Sequence, residues 1–404
     1  MDLLTWSGSA PMGGDLLCHL LKVEDLSELM GALGLGTTLR LLNKPQNIES
    51  YAIHRLVREV RREDVPLEGK EDWVKSTCIA IGEWFKKMRN NFSDLSKYEA
   101  EIDHLKAWEL NASKHAPQYA SRLVWLQAYP SFHQGRYLET QTLLDKAFGL
   151  YRDLALEDLD LKAHLLNDTG SIRAILGDPH TALNRQKESL DIRLELHGEN
   201  NEDVATSLSN VGNALGNLGR YEEALSHSQR ALAMQQELFG EKHPNVATSL
   251  SNVGGVLSDL GWYDEALSFN QRALAMRQEL FGERHPNVAT SLNNVGNVLG
   301  NLGRYEEALS FTQKAVALSE DMYGESHPST LRSTLNLAIL YFNKGDRESA
   351  FEVLKPLLRN LPKSHTLRSE AERLNQNILA KPLRKGFRQP PANPRKRKNK
   401  GKRK

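Results

Sequence analysis

His243-Pro-Asn-Val-Ala-Thr-Ser-Leu250 returns unchanged as His285-Pro-Asn-Val-Ala-Thr-Ser-Leu292, and Leu218-Gly-Arg-Tyr-Glu-Glu-Ala-Leu-Ser226 returns as Leu302-Gly-Arg-Tyr-Glu-Glu-Ala-Leu-Ser310. Neighbouring copies lie 42 residues apart. Gly135, Gly177, Gly219, Gly261, Gly303 and Gly345 fall on that period, and so do Ala182, Ala224, Ala266, Ala308 and Ala350. Thr140 takes the alanine slot of the first unit. Six units follow, over roughly 118–369, the first and last degenerate. Self-similarity at this length marks a chain built from one stacked supersecondary unit.

Each unit reads as two helices. In the third, Leu208, Val211, Leu215 and Leu218 recur at helical spacing, Gly219-Arg220 breaks the pattern, and Ala224, Leu225, Ala231, Leu232 and Leu238 make a second apolar stripe. Gly212 and Ala224 are expected where the two helices cross, since small side chains allow close approach. Phe239-Gly240 predicts the end of the second helix with a left-handed glycine cap, and Pro244 suits the first turn of the next. A single hairpin cannot bury its own apolar face, so neighbours stack into a solenoid. The predicted fold is all-α: a right-handed α-solenoid of about six helix-turn-helix repeats.

Gly212, Ala224 and Ala231 sit at the eighth, twentieth and twenty-seventh places of their unit, and in this they resemble the tetratricopeptide pattern. The Gly-Glu-Lys-His-Pro-Asn-Val-Ala linker (240–247) and the 42-residue length resemble the kinesin light chain variant of that repeat. The resemblance covers about 250 residues and implies a non-enzymatic scaffold that binds peptides or protein segments. Upstream, Tyr51-Ala-Ile-His-Arg-Leu-Val-Arg-Glu-Val-Arg-Arg62 has Ile53, Leu56, Val57 and Val60 on one helical face. Its wording resembles the end of the winged-helix domain of NB-ARC-type signalling ATPases, where the matching histidine, here His54, contacts nucleotide. Arg55 stands where the eukaryotic members have Asp. The stretch 73–116 resembles the helical connector of the same proteins. The ATPase motif itself is absent: Gly31-Ala-Leu-Gly-Leu-Gly-Thr-Thr38 lacks the phosphate-binding lysine. The chain then divides into a partial winged-helix-like region (1–64), a helical connector (65–117), the repeats (118–369), a capping helix (370–380) and a basic tail (381–404).

On a tetratricopeptide hairpin, places two, five, six, nine and thirteen of the first helix face the concave groove. In the third unit these are Thr206, Ser209, Asn210, Asn213 and Asn217; in the fourth, Thr248, Ser251, Asn252, Gly255 and Asp259. The fifth unit supplies Thr290, Asn293, Asn294, Asn297 and Asn301, and the sixth Asn336 and Asn343. Asparagine is a poor helix former, so a row of it inside helices needs a cause. One reading is that the amides hold the backbone of an extended peptide, offering both donors and an acceptor. The other is that they bond to one another and stiffen the stack, or were copied by duplication. Arg230, Arg272 and Lys314 share a slot on the second helix, either adding positive charge beside the groove or facing solvent.

Fifty-two Lys and Arg nearly balance 51 Asp and Glu. Residues 381–404 hold twelve of the basic residues and no acid, which leaves 40 against 51 and a body of about −11. A tail so poor in apolar residues is expected not to fold alone. It could touch nucleic acid or an anionic surface, or aid solubility. No apolar run approaches the roughly 20 residues of a membrane span. Two cysteines, Cys18 and Cys78, suit a reducing compartment, and the cytoplasm is expected. His243, His285 and His327 recur once per unit, too far apart for one metal, and read as turn residues. No catalytic motif and no cofactor site is expected. The leading function is a binding module; the alternative is a regulatory fragment of an NB-ARC-type ATPase acting with a separate nucleotide-binding part.

Overall fold

The structure, a computed structural model, describes residues 78–79, 102–361 and 367–380. The winged-helix-like region, His54, the Gly31–Thr38 stretch, most of the connector and the basic tail lie outside the described residues. Among the described residues every regular element is helical. The chain divides into two compact units, residues 1–169 and 170–404.

The first unit carries α1 (Ile102–His115), a 3-10 turn (Pro117–Tyr119), α2 (Ala120–His133), α3 (Tyr137–Asp153) and the start of α4 (Leu159–Ile175). Helices α1 and α2 pack together, and α2 packs on α3. The alanine slot holds Thr140 here because its hydroxyl lies 2.9 Å from that of Ser131, so the buried oxygen is satisfied. Trp125 donates from Nε1 to Asp168 at 2.8 Å and stacks on His164, with ring centroids 5.0 Å apart.

The second unit runs through α5 (Pro179–His197), α6 (Glu202–Asn217), α7 (Tyr221–Phe239), α8 (Pro244–Asp259) and α9 (Tyr263–Phe281). It continues with α10 (Pro286–Asn301), α11 (Tyr305–Tyr323), α12 (Pro328–Lys344), α13 (Arg347–Asn360) and α14 (Arg368–Leu379). Each helix from α5 onward packs on the next. The first helices α6, α8, α10 and α12 also touch one another in order, so they form the tight layer of the stack. This is an α-solenoid of stacked hairpins.

Close crossing explains the small residues. A Cβ placed on Gly212 would lie 2.7 Å from Ser228 Oγ and 3.2 Å from the Ala224 carbonyl oxygen. Gly254 meets Asn270 and Gly296 meets Thr312 in the same way, while Ala224, Ala266 and Ala308 are fully buried. The apolar stripes interlock along the axis: Leu250, Val253 and Leu257 share one core with Leu292, Val295 and Leu299. Gly219, Gly261 and Gly303 turn each hairpin at φ 75–77°, a region that side chains with a Cβ rarely enter.

One sequence expectation changes here. Gly240 ends α7 at φ 76°, ψ −177°, a positive-φ conformation that favours glycine but lies outside the left-handed helical well. His243 Nδ1 accepts from the Asn245 amide at 3.2 Å, and its ring stacks on Phe239 at 4.1 Å. His285 on Phe281 and His327 on Tyr323 repeat the arrangement. The recurring histidines are therefore helix caps, each accepting at Nδ1 from the second backbone amide of the next helix.

A second polar row runs between units. Ser207, Ser249 and Ser291 lie buried one per first helix. Arg193 donates to Ser207 Oγ at 2.7 Å, Ser249 bonds Gln235 at 2.6 Å, and Arg277 donates to Ser291 at 2.7 Å. Arg193 also has Asp203 at 3.8 Å, whereas Asn287 holds that place beside Arg277. Burial without a carboxylate pulls the Arg277 guanidinium down to about 10.

Candidate functional site

The predicted groove residues come from helix interiors whose opposite faces are fixed in the core, so the helix period aims them at the tight layer. Not all arrive there. The fifth-place residues Ser209, Ser251 and Asn293 are buried, at 7–8% exposure. They are corrected from groove to inter-helix positions: Ser209 Oγ lies 3.3 Å from Ser249 Oγ of the next first helix. First helices approach closely enough to cover that place. Thr248 and Thr290 turn their hydroxyls back to the carbonyls of Pro244 and Pro286.

The sixth- and ninth-place residues keep part of their surface exposed. Asn210, Asn252, Asn294 and Asn297 are half-buried, and Asn213 and Asn217 are exposed. Asn294, Asn297, Asn301 and Asn336 meet in one cleft of about 380 Å³ between α8, α10 and α12. Asn210, Asn213, Asn217 and Asn252 line the same layer outside that cleft. Asn252, Asn294, Asn297 and Asn336 make no side-chain hydrogen bond with any described residue, and Asn301 makes only a 3.4 Å contact to Ser258. Val298, Ile339 and Leu340 supply the apolar wall.

Gly255 opens the cleft. The ninth place holds Asn213 and Asn297 in the flanking units, and a Cβ at Gly255 would meet nothing within 4 Å. Asp259 is the one ionisable residue on the lining, and its carboxyl is pushed above the usual aspartate value by desolvation. Asn270, from the second helix α9, also lines the cleft at 2% exposure; its Nδ2 donates to the Ala266 carbonyl at 3.0 Å, and its Oδ1 meets no donor among the described residues. Sequence reasoning missed Asn270 because it lies off the first helix. The signal was present: the slot opposite the crossing glycine is polar in Gln186, Ser228, Asn270 and Thr312.

Arg230, Arg272 and Lys314 do not join the cleft. All three are exposed on second helices; Arg230 lies 3.6 Å from Glu199, and Arg272 sits over the Phe269 ring. Among the described residues no cluster of His, Cys, Asp and Glu could hold a metal ion, and no helix is long and apolar enough to cross a membrane.

The stacked hairpins, small crossing residues and 42-residue register are similar to those of tetratricopeptide repeat arrays. The tetratricopeptide repeat family model matches residues 203–279, 247–321 and 287–363. Two solved structures share the fold, and a third is similar over part of the chain. NprR, in complex with its cognate peptide NprX, is 14% identical with a TM-score of 0.57, covering 90% of this chain and 97% of that one. A Rap protein complexed with Competence and Sporulation Factor is 16% identical with a TM-score of 0.52, covering 76% and 93%. A putative kinesin light chain of Podosopora anserina with nearly identical repeats is 17% identical with a TM-score of 0.40, covering 56% and 100%. No curated protein matches the chain in sequence.

Proposed function

We propose that the chain is a protein-interaction scaffold whose tight layer of first helices holds an extended segment of a partner. The observation that carries this reading is the state of the asparagine row. Amides that stiffened the stack would bond to one another, yet Asn252, Asn294, Asn297 and Asn336 make no side-chain hydrogen bond with any described residue, and the last three line the cleft. Each offers two donors and one acceptor, the set that a peptide backbone complements. The apolar wall of Val298, Ile339 and Leu340 gives a side chain somewhere to bury. NprR of the same fold holds its cognate peptide NprX, and the Rap protein holds Competence and Sporulation Factor, which supports the reading without naming a ligand here. Arg230, Arg272 and Lys314 enter this reading only as flanking charge.

A displayed library of random peptides, selected against the full chain, tests it. Selected peptides should lose about five- to a hundredfold in affinity when Asn294 and Asn297 are both changed to Ala, the cost of two neutral hydrogen bonds of roughly 0.5–1.5 kcal/mol each. Selected peptides that bind the double variant as tightly as the parent would overturn the groove.

A further inference from the structure

The cleft between α8, α10 and α12 carries one charge, and that charge is negative. Asp259 stands on its wall with no ion-pair partner among the described residues. Asn270 contributes an acceptor, Oδ1, that is buried and without a donor. Every amide along the lining can turn its oxygen inward as well. A site with a carboxylate, spare acceptors and no cation is built for a positively charged group: an ammonium or guanidinium at the end of an aliphatic stem, which Ile339 and Leu340 would flank.

The chain contains such groups in one concentrated place. Residues 381–404 hold twelve Lys and Arg and no acid. They begin directly after Ala380, whose carbonyl accepts from Arg347 Nη1 at 2.6 Å. Arg347 follows Asn343, a cleft residue, by four positions, so their Cα atoms lie at most ~15 Å apart at 3.8 Å per residue. A segment of 24 residues spans up to ~80 Å when extended. Ala380, to which the segment is joined, lies within roughly 25 Å of Asn343 by these links, and 24 residues are long enough to cover that distance.

We propose that the cleft is a cation-accepting subsite and that its occupant is the chain's own basic segment, residues 381–404, which competes with outside partners for the groove. This rests on the groove reading above and gives it a ligand chemistry and a control. Asp259 receives the Lys or Arg head group, Asn294, Asn297 and Asn336 hold the neighbouring backbone, and Gly255 leaves the space for both. A tethered segment works at an effective concentration of about millimolar, so even weak intrinsic affinity keeps the cleft filled until a stronger or more abundant basic segment displaces it.

The test uses full-length protein and a fluorescein-labelled peptide with the sequence of residues 381–404, read by anisotropy at low and high salt. A chain whose twelve tail Lys and Arg are all changed to Gln should bind the peptide at least about tenfold more tightly than the parent, because no tethered competitor remains. In that neutral-tail chain, Asp259→Asn should weaken binding about tenfold by removing a charge-assisted hydrogen bond. Gly255→Leu should block the site while leaving the helix intact, since leucine has open space there and is the better helix former. Equal binding by parent and neutral-tail chains would overturn self-occupancy. Binding that ignores Gly255→Leu would place the peptide on the acidic outer surface and overturn the subsite. Library-selected peptides, run on the same variants, separate the two proposals: if they need Asn294 and Asn297 while the basic peptide ignores Asp259 and Gly255, the tail assignment falls and the groove stands.

Discussion

Two polar rows run along the same first helices, copied by the same 42-residue period, and they do opposite things. The serine row, Ser207, Ser249 and Ser291, is buried and bonded to Arg193, Gln235 and Arg277 of the preceding second helix. The asparagine row, three residues further along at Asn210, Asn252 and Asn294, turns about 300° around the helix and faces the open layer. Burial separates them: a hydroxyl taken from water must find a partner inside the protein, whereas an amide at the open layer keeps water until a ligand replaces it. The first row joins units; in the second, Asn252 and Asn294 make no side-chain hydrogen bond with any described residue.

The comparison is broken most directly by emptying the open row. Changing Asn252, Asn294 and Asn297 to Ala should weaken partner binding by roughly ten- to a thousandfold if three neutral hydrogen bonds of about 0.5–1.5 kcal/mol are lost. Melting temperature should hold or rise, because alanine is the better helix former by up to about 0.7 kcal/mol per site. A clear drop in melting temperature with normal binding in the cold would make both rows structural.

The buried row should answer in the opposite way. Arg277→Ala strands the Ser291 hydroxyl and leaves a void, and should cost about 2–4 kcal/mol in chemical denaturation with little change in peptide affinity. Arg277→Gln should cost much less, since Gln235 already fills that slot against Ser249. A weaker effect of the same kind comes from the caps. His285→Ala should lose about 1 kcal/mol, the usual value of an N-cap acceptor. Desolvation, with Arg277 adding to it, holds the His285 imidazole below its ordinary value. A histidine with a depressed folded-state value stabilises above its unfolded value near 6.5 and loses that contribution as pH falls through the folded one. His285→Asn, which imitates Asn201 at the start of α6, should therefore flatten the stability profile below about pH 6.5 relative to the parent.

Smaller still, Asn287→Asp gives Arg277 the counter-charge that Asp203 gives Arg193. Stability should rise by about 0.3–1 kcal/mol in a helix's first turn. The smallest effect sits in the cleft. The desolvated Asp259 carboxylate opposes folding wherever it is ionised, so Asp259→Asn should raise the melting temperature slightly at neutral pH. That gain is expected in the neutral-tail chain, where no tail Lys or Arg pairs with Asp259, and should fade as pH falls from the raised folded value to the ordinary carboxylate value, because both states are then protonated.

Much of this was legible in the residues. The period gave the hairpins, the turn glycines and the close crossing at Gly212, Gly254 and Gly296, since helix periodicity and the size of a missing Cβ are local properties. The Asn row was legible as a row. What the sequence left open was which polar residue would be covered. Ser207 and Asn210 are three places apart and equally polar on paper; only the approach of α6 to its neighbours buries one and leaves the other open. The same approach moved Ser209, Ser251 and Asn293 out of the predicted groove. The chain by itself determined the unit, its two helices and its register, because these follow from spacing along one strand of backbone. Tertiary structure decided the cleft, the lone Asp259 and the unpaired Asn270 acceptor, because a cavity exists only where three helices and one absent side chain at Gly255 meet, and no single segment contains that meeting.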